Sequence, residues 1–581
     1  MAGGRVLNTR VFFTMLLIFF LFSAANAQEL TVNTTEGIVA GTRAPDGNYF
    51  VFYDVPYAGP TSGENRFKAP IAPSPRQNVF QAINRNTICA QPSQRGLIGT
   101  EDCLTLSIYT QNVTTPKPVF VWLNAEEYTT TPTSLISHKR LVEEGIVFVT
   151  LNFRVSVFGF LCLRVPDAPG NAGLKDIIQG LTWLKANIAN FGGQPGNIIL
   201  IGHASGAALV DLITMTPKAG NLVHKAVALS GSALAPWAVA YDPIGYAKIL
   251  GVSLSYNNKA NDQLAKLMKK TDINVLISAI SNLKFTNSTT LFAPCIENDK
   301  LNSNDTILTD APINLLKSGK FLQIPYITGY TTREGTLRAE EAVASQWLEQ
   351  MQANFSKFLP VDLGTRNLTE LANSIRKFYF SEKAIDMGTI EDYLEYYGDI
   401  LVLVPTIRAV KERGATSTQS VRLLEFGYRG TQNSDWLYHQ IPLSGARHGS
   451  FLNYLFDYDL RPADEFVRKS VIKRLITFAN TGFSNFNDLI FHTKDPNAPD
   501  LTTWNTVTND SFNYLLYRGI SSQNDTSKSI EEARINPHVT RMTFWNETFS
   551  KYYVPPPASS AARTMGVAII LVLCQLFVRS A

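Results

Sequence analysis

Short apolar runs bounded by glycine, proline or polar residues recur along the chain, at 119–123, 146–153, 197–202, 225–231, 325–329 and 421–427. Their length and their Val, Ile and Phe content predict strands buried on both faces. Between two of them lies a segment of a different period. Leu174, Ile177, Ile178, Leu181, Leu184 and Ile188 recur at helical spacing, and Gly192-Gly193 stops the element. Strands alternating with such helices predict an α/β fold, a large mostly parallel sheet with helices on both faces. One junction is sharper than the rest. The run 197–202 leads into Gly202-His203-Ala204-Ser205-Gly206, and an apolar, helix-like stretch at 207–215 follows at once.

The two ends depart from this pattern. Arg5 and Arg10 precede or open an apolar run at 11–22, and Ala25-Asn26-Ala27 follows. Residues 1–27 therefore read as a secretory signal peptide. Nine Asn-x-Ser/Thr sequons agree with export: Asn33, Asn112, Asn287, Asn304, Asn354, Asn367, Asn509, Asn524 and Asn546. At the other end, 565–578 is almost wholly apolar. As a helix it would be about 21 Å long, short for a hydrocarbon core of about 30 Å. Small residues at 558–562 precede it and only Arg579, Ser580 and Ala581 follow. This predicts a GPI-anchor signal, with a short membrane helix and plain secretion as the alternatives. The chain then divides into the signal peptide, a folded domain at 28–550, a linker with the attachment point at 551–564, and the tail at 565–581.

Composition narrows the function. Of 581 residues, 45% are hydrophobic, and the 52 Lys and Arg against 48 Asp and Glu leave a net charge of +4 without long runs. That excludes the concentrated basic face of a nucleic-acid binder and the composition of a disordered chain. Cys89 and Cys103 bracket a loop with Pro92, Gly96 and Gly99, a natural disulfide loop in an oxidising compartment. Cys162 and Cys295 lie in apolar surroundings and are expected to be buried free thiols, and Cys574 falls in the tail. No spacing of His and Cys suggests a metal, and no cofactor is expected.

A strand, a G-x-S-x-G turn and a helix form the nucleophile elbow of α/β-hydrolases. Here the glycines are present and the central residue is Ala204. Around it, FYDVPYAGPTSGENRFKAP (52–70), EDCLTLSIYT (101–110), PVFVWL (118–123), VTLNFRVSVFGFL (149–161), GNAGLKD (170–176), NFGGQPGNIILIGHASGAA (190–208), HKAVALSGSALAPWA (224–238), TREG (332–335) and GARHG (445–449) occur in order. In these segments the chain resembles the type-B carboxylesterase/cholinesterase family, from about Glu36 to about Tyr517. The resemblance implies the α/β-hydrolase fold across the 28–550 domain. It also implies a Ser-His-Glu triad, in which serine attacks the ester carbonyl, histidine moves its proton and the acid orients the imidazole. The acid and base positions are Glu334 and His448. The nucleophile position is Ala204, whose methyl group has no oxygen to deprotonate.

The oxyanion hole departs as well. Where the family has a His-Gly-Gly-Gly-type run, this chain has Asn124-Ala125-Glu126-Glu127-Tyr128. Ala125, Glu126 and Glu127 add Cβ atoms where glycine lets backbone N–H groups approach an oxyanion. A carboxylate about 5 Å from that oxyanion would repel it by roughly 3 kcal/mol at an effective dielectric of 20. His203 stands where the family usually has glutamate. Ser205 heads the helix, and its backbone N–H rather than its hydroxyl is what the elbow would offer. Glu334 and His448 are then expected to persist as a hydrogen-bonded pair. The resemblance also implies that Cys89–Cys103 is the first family disulfide, while the second and third have no cysteines. Arg66, Glu101 and Asp176 read as salt-bridge or turn residues, and Trp122 and Trp237 as pocket or core walls.

These features point to a non-catalytic, cell-surface protein acting in recognition or adhesion, like neurotactin, glutactin, gliotactin and the neuroligins. Its partner would be an unknown extracellular protein or an apolar ligand, and its lipid anchor would hold it on the outer face of the plasma membrane. The alternatives are an ester hydrolase with an atypical nucleophile and a non-hydrolysing carrier of an apolar ligand.

Overall fold

A computed structural model describes residues 30–557, apart from 132–135, 284–288, 298–300, 302–303, 431–440, 457–459, 484–501, 519–529 and the single positions 86, 282, 365 and 442. The expected signal peptide, the small-residue cluster, the apolar tail, Cys574, Asn287 and Asn524 lie outside the described residues. Among those described, no helix is long and apolar enough to cross a membrane.

The strands are β1 (Leu30–Thr34), β2 (Gly37–Arg43), β3 (Phe50–Pro56), β4 (Phe80–Gln81), β5 (Gln91–Ser93), β6 (Gly96–Ile98), β7 (Thr105–Thr110), β8 (Lys117–Ala125), β9 (Val147–Leu151), β10 (Gly193–Ala204), β11 (Lys225–Leu229), β12 (Tyr326–Thr331), β13 (Val421–Phe426), β14 (Asn513–Tyr517) and β15 (Glu531–Ile535). All but β5 and β6 join one sheet, ordered β1-β2-β3-β7-β9-β8-β10-β11-β12-β13-β14-β15, with β4 beside β2. From β9 to β14 every pairing is parallel; the ends are antiparallel apart from β4, which runs parallel to β2. All six runs expected as strands lie in this parallel centre.

Residue alternation puts a core on each face of the sheet. Val119, Val121 and Leu123 of β8 face one core with Ile198 and Leu200 of β10, covered by the helices Ala172–Asn187 and Ser205–Thr214. Phe120 and Trp122 face the other with Ile199 and Ile201, covered by Val467, Val471, Leu475 and Phe478 of the helix Pro462–Thr481. Both faces are apolar because both are covered, which is why these strands read as continuous runs.

Buried ion pairs tie the connections down. Arg154 grips Asp176 with two N–H···O bonds of 2.8 and 2.6 Å. Arg66 holds both oxygens of Glu101 at 2.6 Å. It also donates to the carbonyls of Met268, Lys269 and Thr271 at the end of the helix Asn261–Lys270, whose last carbonyls have no partner within the helix. Trp122 is buried core, and the Trp237 indole N–H donates to the Leu401 carbonyl at 3.0 Å.

Cys89 and Cys103 form a disulfide around the β5–β6 hairpin. The expectation for Cys162 and Cys295 is overturned: they are not free thiols but a second disulfide, across a sequence separation of 133. Their apolar surroundings reflect a buried cystine. Gly170 lies against it at φ +110°, where a Cβ would stand 2.6 Å from the Cys295 sulfur and 2.8 Å from that of Cys162. Next to it, the Asn171 amide donates to the Cys295 carbonyl and accepts from the Cys295 N–H, both at 2.8 Å.

The second core also holds His138. Its ring stacks on Phe148 at 4.4 Å and meets Tyr109 edge-on at 4.7 Å. Neither ring nitrogen has a hydrogen-bond partner among the described residues. Burial, helped by Arg85 and opposed by Asp46, pushes its pKa from 6.5 down to about 3. As pH falls through 6.5 the unfolded chain takes up a proton that the folded chain refuses, so stability declines, by about 3 kcal/mol at pH 4. Denaturant unfolding of His138→Phe at pH 7 and pH 4 is expected to show a smaller acid loss than the parent. Equal losses would remove His138 as the cause.

Candidate active site

The elbow is built although its hydroxyl is missing. Ala204 ends β10 and caps the helix Ser205–Thr214 at φ 53°, ψ −121°. A side-chain-bearing residue holds such a conformation at roughly 1–3 kcal/mol. The crossing of strand and helix requires it. A Cβ on Gly202 would stand 2.4 Å from the Gly206 carbonyl oxygen, and one on Gly206 would stand 2.2 Å from that of Leu123.

Glu334 and His448 meet from two loops. Glu334 opens the short helix Glu334–Arg338 after β12 and is 2% exposed. One carboxylate oxygen accepts the Thr331 N–H at 2.6 Å, and the other accepts from His448 Nδ1. A carboxylate on Nδ1–H fixes the tautomer that leaves Nε2 unprotonated in the neutral ring. Backbone bonds join the loops: Arg333 N–H to the Ala446 carbonyl at 2.9 Å, and His448 N–H to Thr336 Oγ1 at 3.1 Å. His203, next to Ala204, places its ring 4.7 Å from that of His448. Its Nε2 has no hydrogen-bond partner among the described residues. Burial first, and then the nearby His448, hold its pKa well below the usual imidazole range. His448 and Glu334 are thus brought together, and the ring of His203, the neighbour of Ala204 at the elbow, lies beside that of His448.

The loop after β8 faces them in an altered form. Glu126 N–H donates to the Thr130 carbonyl at 2.7 Å, and Thr129 N–H donates back to the Glu126 carbonyl at 2.9 Å. This closes a turn and commits one N–H of the run that the resemblance assigns to the oxyanion hole. Glu127 and Tyr128 both sit at positive φ, 48° and 58°. The Glu127 carboxylate pairs with Arg338 at 2.5 Å. Desolvation, then the charge of Glu127, raise the Glu126 pKa above the usual carboxylate value, against the pull of His448. Ser205, the first residue of the helix Ser205–Thr214, is buried against this loop. Its hydroxyl donates to the Ala125 carbonyl at 2.7 Å and accepts from Tyr128 N–H at 3.3 Å.

Behind Glu334, away from Ala204 and His448, lies a cavity of about 500 Å³ walled by Arg333, Glu334, Gly335, Asp399 and Arg541 among others. Its charges answer one another: Arg541 reaches Asp399 at 2.8 Å and Glu395 at 3.1 Å. Among the described residues no group of three or more His, Cys, Asp or Glu is placed to hold a metal ion.

The sequence profile of the Carboxylesterase family matches residues 28–536. The chain belongs to the carboxylesterase family. It is 34% identical over 388 residues to Esterase-5A of Drosophila pseudoobscura pseudoobscura, covering 61% of this chain and 69% of that one. It is 24% identical over 517 residues to Venom carboxylesterase-6 of Apis mellifera, covering 84% and 92%. Among solved structures, juvenile hormone esterase from Manduca sexta, with OTFP covalently attached, superposes with a TM-score of 0.77 at 22% identity, covering 90% of this chain and all of that one. That likeness gives the α/β-hydrolase fold.

Within this carboxylesterase-family site, sequence reasoning missed three contacts: the Ser205 hydroxyl bond, the Glu126–Thr130 turn and the Glu127–Arg338 pair. The triple replacement of glycine was a visible signal that the loop differs. The partners of the new residues come from Thr130 and from Arg338, which no local pattern joins to it. Of the sequons described, Asn33, Asn304, Asn354, Asn367, Asn509 and Asn546 are exposed and Asn112 is half-buried.

Proposed function

We propose that this member of the carboxylesterase family does not hydrolyse esters and acts in recognition or adhesion outside the cell, held to the membrane by a lipid on its C-terminal region. One observation carries the first part: the residue in the elbow is Ala204. Acyl transfer needs an oxygen there, and losing the nucleophile lowers kcat by about 10⁶ in a well-studied serine protease. Ser205 is no substitute, since its proton goes to the Ala125 carbonyl rather than to an imidazole. The committed Glu126 N–H argues the same way from a separate loop. Two disulfides and the exposed sequons suit a protein that folds in an oxidising compartment and works on a wet, glycosylated surface.

The test is hydrolysis of short p-nitrophenyl esters together with labelling by a fluorophosphonate. The purified protein is expected to do neither. Turnover with label on a serine would overturn the reading. Clustering of cells that display the protein, lost after phospholipase C cleavage of lipid anchors, would support adhesion. Saturable binding of an ester without turnover would favour the carrier instead.

A further inference from the structure

The margin of the sheet carries an apolar row that ends at a sequon. β1 lies at the edge, paired antiparallel with β2, and β4 runs parallel on the other side of β2. Register decides which residues share a face. Val32 pairs with Val39 and Val39 with Phe80; this row faces the core, and Val32 and Val39 are 5% and 0% exposed. One position along, Asn33 pairs with Ile38, and continuing the parallel β2–β4 register by one residue sets Ile38 beside Val79, the residue before β4. This row faces outward. Ile38 is 42% exposed, Val79 44%, and Asn33 is exposed beside them.

An exposed side chain such as Ile38 is ordinary when it stands alone. Two on neighbouring strands, in line with a sequon asparagine on the third, are a specific arrangement. Paired Cβ atoms across antiparallel strands are about 5 Å apart, and two strand spacings cover about 10 Å. The first two sugars of an N-linked chain span that width. A pyranose ring has one face of axial C–H bonds and a rim of hydroxyls, so it can cover methyl groups while its hydroxyls stay in water. The turn that ends β1 is firmly held. Thr35 N–H donates to Asn187 Oδ1 at 2.8 Å, and Asn187 donates back to Thr35 Oγ1 at 3.0 Å.

We propose that Asn33 carries an N-linked glycan whose first sugars lie over Ile38 and Val79 and keep this apolar row from associating with other molecules. The occupant is the chain's own oligosaccharide, and the site is independent of the proposed loss of hydrolysis.

The test uses the protein purified from a eukaryotic secretory host. Glycopeptide mass spectrometry is expected to find Asn33 modified. Asn33→Gln is the variant to make, because Thr35 is tied to Asn187 and replacing it would disturb the strand. Relative to the parent and to Asn509→Gln, it is expected to raise anilinonaphthalene sulfonate fluorescence about twofold and to self-associate in sedimentation. Adding Ile38→Thr and Val79→Thr to Asn33→Gln is expected to return both readings to parent values. An unmodified Asn33, an effect no larger than that of Asn509→Gln, or failure of the threonine pair to restore the parent behaviour would each overturn the proposal.

Discussion

Replacing Ala204 by serine is expected to make the protein react with a fluorophosphonate while leaving ester turnover at least about 10²-fold below that of an active esterase. The backbone at 204 already has the elbow conformation, held by Gly202 and Gly206, so a serine would inherit it. His448 is already oriented by Glu334, whose second oxygen is fixed by the Thr331 N–H. Phosphonylation needs chiefly an activated hydroxyl. Carbonyl hydrolysis needs oxyanion donors as well, and loss of one such donor lowers kcat by about 10²–10³. Here Glu126 N–H is bonded to Thr130, and the Glu126 carboxyl lies close enough to His448 to interact with its charge. Converting Ala125, Glu126 and Glu127 to glycine in the Ala204→Ser background should raise kcat/KM further. Adding His448→Gln should abolish labelling. If Ala204→Ser is not labelled, the His448–Glu334 pair is not poised for chemistry. If it turns over like an active esterase, the loop is not limiting.

The second large effect concerns stability. Replacing both Cys162 and Cys295 by serine is expected to lower unfolding stability by about 5 kcal/mol, the loop-closure value for a separation of this size. The crosslink fastens the turn before the helix Ala172–Asn187 to the segment at 293–297, where Glu297 also forms a buried ion pair with Lys175 at 2.7 Å. That ion pair and the two Asn171 bonds would survive, so the native arrangement remains available and the loss falls on the unfolded chain. Secreted yield and thermal unfolding measure it. The pair of serines is compared with the single Cys162→Ser, which leaves a free thiol. A change of under about 1 kcal/mol would show that packing around Gly170, not the covalent bond, holds these segments together.

The legible part of the fold was the part buried on two sides. β8 to β13 announced themselves as unbroken apolar runs because the sheet is covered there by helices on both faces. The antiparallel margins did not. Leu30–Thr34 and Glu531–Ile535 each bury a single position, and only pairing with β2 and β14 makes them strands. At the site, the elbow glycines and the changed loop were readable because close backbone approach admits few residue types. The Cys162–Cys295 bond was not readable, since an apolar neighbourhood suits a thiol and a cystine alike and the two sulfurs are brought together by the whole intervening fold. Nor was the lack of a hydrogen-bond partner for His203 Nε2 among the described residues, which depends on what does not reach it.

The conformation of Ala204 has a bearing on descent. Serine and alanine codons of the type TCN and GCN differ by a single base, so the hydroxyl is within one mutational step. The loop is several steps away, since the Thr130 turn, the Glu127–Arg338 pair and the bond from Ser205 to Ala125 are separate contacts set by different residues. A chain that acquired the serine alone would still carry the altered loop, and with it little expected turnover for selection to favour. On the proposed reading, a serine codon at 204 alone would therefore not bring hydrolysis with it, because the loop that receives the oxyanion is set by contacts elsewhere in the chain.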